Sequence, residues 1–68
     1  MLIATANYRS GGMYYVMEKS ERDGHAYNRV GRAHSDLERA IAAAERLTRR
    51  TGRRTCVEKR GGFTMWTN

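Results

Sequence analysis

The stretch from Ser35 to Gly52 admits one regular structure, an amphipathic α-helix, and that helix obliges the rest of the chain to supply a surface for it to cover. Leu37, Ala40, Ile41, Ala44 and Leu47 recur at the three- and four-residue intervals of a single helix face. Ser35-Asp36-Leu37-Glu38 has the form of a capping box, with the Ser35 hydroxyl taking a first-turn amide and Glu38 reaching back to the Ser35 amide. Arg49 and Arg50 sit where cations suit the carboxyl end of the helix dipole, and Gly52 is a natural stop. At about 100° per residue, Arg39, Arg46 and Arg50 fall within one narrow arc, while Glu38, Glu45 and Arg49 form a mixed flank. Glu45 and Arg49 have the spacing of a favourable ion pair worth a few tenths of a kcal/mol. So narrow an apolar stripe needs a sheet beneath it.

The flanking segments supply strand signals. Leu2–Tyr8 alternates loosely and reads as a first strand, followed by a Ser10-Gly11-Gly12 turn. Met13–Glu18 is apolar on both faces, as a central strand would be. Ser20–Gly24 ends in Asp-Gly, a reversal signal, and His25–Ala33 returns as a weaker strand interrupted by Asn28, Arg29, Gly31 and Arg32, which suits an edge. After the helix, Arg54–Lys59 and Phe63–Thr67 flank Arg60-Gly61-Gly62, a hairpin pattern. A two-residue Gly61-Gly62 loop would set Val57 opposite Trp66 and Glu58 opposite Met65. Alternation then divides this hairpin into a Cys56, Phe63, Met65 face and a Val57, Lys59, Trp66 face. The first is preferred as the core side, leaving Trp66 open; the reverse assignment stands close behind. The chain reads β-β-β-α-β-β: an α+β fold, an antiparallel sheet of four or five strands with one α-helix packed on one face, in a single domain over residues 1–68.

At 68 residues such a domain has one modest core, and a homodimer would be an inexpensive way to extend it. One cysteine leaves no internal disulfide and fits a reducing cytoplasm; no apolar run approaches the roughly 20 residues that span a bilayer. The net charge is +6, and all of it comes from residues 39–68, where eight basic residues face Glu45 and Glu58. Such asymmetry points to an anionic partner, an acidic protein or nucleoprotein surface, or DNA or RNA directly.

Catalytic and metal chemistry find little support. His25, His34 and Cys56 lack both the spacing of a zinc site and the setting of a nucleophile–base pair, and a buried, inert Cys56 is the simpler reading. The acidic residues offer no acid/base pair, and the Gly-Gly dipeptides do not open a helix as a phosphate loop does. The chain is expected to be a non-enzyme without cofactor or metal. Its chemistry-bearing feature is Arg49-Arg50-Thr51-Gly52-Arg53-Arg54, whose guanidinium forks suit phosphate and carboxylate. Arg39 and Arg46 extend this patch along the helix, and Lys59 with Arg60 could carry it to the hairpin. Tyr8, Tyr14, Tyr15, Tyr27 and Trp66 are more rings than a small core easily encloses, so some would serve as anchors.

Two resemblances follow from these residues. Tyr14-Tyr15-Val16 through Asp23-Gly24, then Tyr27 to Ser35-Asp36-Leu37-Glu38-Arg39-Ala40, resembles the three-strand-plus-helix pattern of integrase arm-binding domains. That likeness implies a sheet in the DNA major groove, with Lys19, Arg22, Arg29 and Arg32 as contacts; this chain differs in running on into a further hairpin that carries the charge surplus. In size, helix-on-sheet plan and want of catalytic residues the whole chain is similar to small phage-encoded inhibitors of the anti-CRISPR type. That likeness implies a non-catalytic protein that masks a binding surface of a host protein or nucleoprotein complex. The expected contacts are Arg39, Arg46, Arg50, Arg53, Arg54 and Lys59 for attraction, with Trp66 and Tyr15 as anchors. The alternative is a sequence-tolerant DNA-binding module using the sheet or the arginine-rich helix end.

Overall fold

The computed structural model describes residues 13–22 and 26–68. Within them the order is β1 (Tyr14–Lys19), β2 (Tyr27–Arg29), α1 (Leu37–Thr51), β3 (Thr55–Lys59) and β4 (Phe63–Thr67). The strands form one antiparallel sheet in the order β2-β1-β3-β4, and α1 lies across β1 and β3. This is the expected α+β plan with four strands. The strand read at Leu2–Tyr8, the Ser10-Gly11-Gly12 turn, Tyr8 and the Asp23-Gly24-His25 reversal lie outside the described residues. The Ser20 amide donates to the Ala26 carbonyl at 2.8 Å.

The two-sided apolarity of Met13–Glu18 does mark an interior strand, since β1 lies between β2 and β3. β2 is the short strand at one side of this sheet, as its interruptions foretold. Beyond Arg29 the chain leaves the ladder. The Val30 amide still donates to Val16 at 2.9 Å, but the next pairing with β1 is the bridge of Tyr14 with His34, so two extra residues detour between them. Gly31 turns this detour at φ 73°, a left-handed value that a side chain would strain.

α1 is capped differently from expectation. Asp36, not Ser35, is the N-cap: its carboxylate accepts from the Glu38 amide at 3.1 Å while its own backbone is extended. A carboxylate at this position accepts the amide and also answers the positive helix end, so it outcompetes the hydroxyl one residue earlier. At the other end Gly52 adopts φ 75° and donates its amide to Thr48 at 2.7 Å, the expected stop. Leu37, Ala40, Ala44 and Leu47 are buried, with Ile41 packed at their margin, so the apolar stripe is the buried face. The expected Glu45–Arg49 pair does not form, because fixing two exposed side chains costs about what the contact returns in water.

The hairpin departs from simple alternation. Lys59 pairs with Phe63 and Glu58 with Thr64, around a three-residue loop closed by the Gly62 amide on the Lys59 carbonyl at 2.9 Å. The register then slips between Glu58 and Val57, so Val57 meets Trp66 as expected while Met65 is the extra residue of a β-bulge. The expected Glu58–Met65 pair is therefore replaced by Glu58–Thr64. The slip also reverses the preferred face. Val57, Met65 and Trp66 all enter the core beneath α1, at 0, 4 and 6% exposure, and Phe63 stands out at 69%. Cys56 is buried, but it pairs with Met17 on the face turned away from α1.

A chain of hydroxyls fastens the sheet to the helix. Thr55, fully buried, donates to the Ala44 carbonyl at 3.2 Å. Its single proton being spent there, Thr48 must donate to the Thr55 hydroxyl at 2.9 Å, and the Asn68 side-chain amide donates in turn to Thr48 at 2.7 Å. The Asn68 carbonyl oxygen takes the Thr55 amide at 3.1 Å. Every buried side-chain polar atom among the described residues has a partner.

Candidate functional site

The expected arginine patch resolves into three separate settings. Arg39, Arg46 and Arg50 are exposed on one side of α1, as the helical arc requires. Arg39 lies 3.8 Å from Asp36, a loose pair with both side chains more than half exposed. Arg46 and Arg50 have no ion-pair partner among the described residues; they stand beside a groove of about 210 Å³ that separates α1 from β1 and from the detour after β2. Val16, Val30, Ala43 and Leu47 make its apolar floor, and Gly31 and His34 its far wall. The groove exists because α1 crosses β1 and β3 and stops short of β2, while the detour carries Gly31 and His34 out of the ladder.

Arg53 belongs to a second setting. Its guanidinium donates to Glu18 at 3.1 Å and also to Glu21, joining the end of β1 to the connection between α1 and β3. The hydrogen bond to Glu21 chiefly, opposed by desolvation and helped by the Glu21 charge and then by the hydrogen bond and charge of Glu18, holds its pKa above the ordinary arginine value. Arg53 is thus engaged by two carboxylates of its own chain while its side chain stays 40% exposed. Arg54 is exposed, with its carbonyl taking the Lys19 amide at 3.0 Å, and Arg49 is exposed nearby on the last helical turn.

Lys59 and Arg60 form the third setting, and they do not continue the patch. β3 begins at Thr55 beside the carboxyl end of α1 and runs away from it; four residue steps at roughly 3.3 Å place Lys59 about 13 Å further along. There Lys59 is half-buried opposite Tyr14, and the Arg60 amide donates to Met13 at 3.1 Å.

The two expected anchors part company. Trp66 is 6% exposed in the core and is not free to meet a partner. Tyr15 is half-buried on the sheet face turned away from α1, with the Arg29 guanidinium 3.8 Å over its ring centre, a cation–π contact. Ladder pairing places Met17, Lys19, Tyr27 and Arg29 on that same face. Arg22 and Arg32 are exposed.

Sequence reasoning set Arg46 and Arg50 on one helical arc but did not foresee the groove beside them or its wall at His34. The available signal was Ala43, a small residue within the same helical arc as the arginines, together with Gly31 in a segment too irregular for a full strand. Cys56 is the buried thiol expected: burial, with the nearby Glu58 carboxylate, pushes its pKa up to about 11. Among the described residues no group of three metal-ligating side chains comes together, and no helix is long and apolar enough to cross a membrane. No family model, curated protein or solved structure matches this chain.

Proposed function

We propose that this chain is a non-catalytic binding module that docks, by the arginine-bearing side of α1, on an anionic surface of a protein or nucleoprotein complex and so masks it. The observation that carries this reading is the pair Arg46 and Arg50, exposed and without an internal counter-charge beside a groove, with Arg49 and Arg54 adding charge nearby. A solvated arginine keeps its fork available for a carboxylate or phosphate, whereas Arg53 has already spent its own. The likeness to small phage-encoded inhibitors agrees with this reading, and so does Cys56, since a thiol held near 11 is a poor nucleophile at neutral pH.

The test is retention on immobilised heparin, a sulfated polyanion. The wild type should elute at clearly higher salt than the Arg46→Glu, Arg50→Glu double variant; equal elution would remove the assignment. A second reading, sequence-tolerant binding of duplex DNA, draws support from Arg39, Arg46 and Arg50 lying along one side of the helix. Anisotropy titration of a random-sequence duplex separates the two. With about four phosphates contacted, affinity should fall on the order of 10²-fold between roughly 50 and 200 mM salt. No binding at the lower salt excludes the DNA reading.

A further inference from the structure

We infer that the groove between α1 and the β2–α1 detour is a receptor for an acidic peptide segment that inserts one large apolar side chain between two carboxylates. The inference rests on the proposed docking role of α1 and adds the chemistry of the occupant. Two features of the groove must be matched together. Arg46 and Arg50, one helical turn apart, line it on the α1 side, and its floor is Val16, Val30, Ala43 and Leu47. A phosphodiester backbone answers the first feature and leaves the second in contact with water. A run of glutamates or aspartates with a leucine or phenylalanine among them answers both, because the apolar group leaves water as the carboxylates meet the arginines.

The dimensions agree. The cavity is about 210 Å³, and an apolar cavity of roughly 150 Å³ already takes a benzene ring. An aromatic or leucine side chain therefore fits with room for its backbone at the mouth. The charge pattern selects sign as well as shape: no Asp or Glu lines the groove. The groove is also supported by packed structure, since Val16 and Leu47 belong to the core and Val30 and Ala43 pack against it.

The experiment compares two fluorescein-labelled pentapeptides, one with a leucine between two pairs of glutamates and one with glycine in its place. The wild type should bind the leucine peptide about tenfold or more tightly, the gain expected for burying such a side chain. Ala43→Phe, which fills the floor and leaves both arginines, should abolish that preference, and its circular dichroism melt, read alongside, separates loss of the groove from loss of the fold. Equal binding of both peptides by the wild type would overturn the inference and leave the anionic-surface reading intact. Binding of duplex DNA with neither peptide bound would overturn it too, in favour of nucleic acid. Failure to retain heparin or either peptide would remove both readings together.

Discussion

On the side of the sheet beneath α1, Tyr14, Val16, Val57 and Trp66 are at most 6% exposed, whereas Tyr15, Met17 and Tyr27 on the other side are half-buried among Lys19, Arg29 and Glu58. Both faces of β1 carry rings and methionine or valine, so composition alone does not tell them apart. What separates them is the partner. The helix-side residues meet an alanine-rich stripe that lets α1 lie close, and the other side is held by contacts between neighbours in the ladder, such as Arg29 over Tyr15. Among the described residues, the strand face that joins the core cluster is the one that α1 covers.

That difference can be broken by substitution. Trp66→Ala should cost about 3–5 kcal/mol in urea unfolding, enough to leave so small a domain largely unfolded. Tyr15→Ala should cost far less, and equal losses would show that the two faces are alike in strength. Cys56 gives the next largest effect, since it is buried although it lies on the side away from α1. With its thiol near 11, alkylation of the folded protein at pH 8 should run on the order of 10²-fold slower than for a free cysteine. The sign for stability follows. The folded pKa lies above the unfolded value of 9.0, so this contribution is complete below pH 9 and is lost as pH rises towards 11. Alkylation at the free-cysteine rate would place the thiol in solvent.

Smaller effects sharpen the comparison. Thr55→Val keeps shape but removes the link from Thr48 to the Ala44 carbonyl, and should lower unfolding free energy by about 1–2 kcal/mol. No loss would mean that apolar burial alone holds the covered face. Arg29→Ala should cost about 0.5–1 kcal/mol through the lost contact with Tyr15. Phe63→Ser, at a side chain 69% exposed, should stay within about 0.5 kcal/mol of the wild type by thermal melting.

The helix was legible because its signals agree: the interval of the apolar residues, acid at one end, arginines and glycine at the other. Its cap moved by one residue, a matter of which oxygen reaches the amide first. The hairpin was legible as a hairpin, and the Val57–Trp66 pairing with it, but not its faces. Strict alternation assumes a two-residue period, and the extra residue at Met65 violates it, bringing Met65 and Trp66 inward together and leaving Phe63 outside. The arginines of the site were legible as charges on one arc. Their unequal availability was not, because Glu18 of β1 and Glu21 just after it, which engage Arg53, come more than thirty residues earlier. The groove depends on which strand the helix leaves bare, a property of the assembled layers rather than of any segment.

The Met65 bulge also bears on how the molecule behaves in a crowded solution. Among the described residues β4 is the outer strand beside β3, and such a rim can template the growth of a sheet from one molecule to the next. Here the kink falls in the middle of five residues, leaving only Phe63-Thr64 and Trp66-Thr67 on either side as straight runs. Two residues are too few to register a visiting strand. The irregularity that seats Trp66 under the helix thereby also shortens the straight runs of β4 on which a further strand could register.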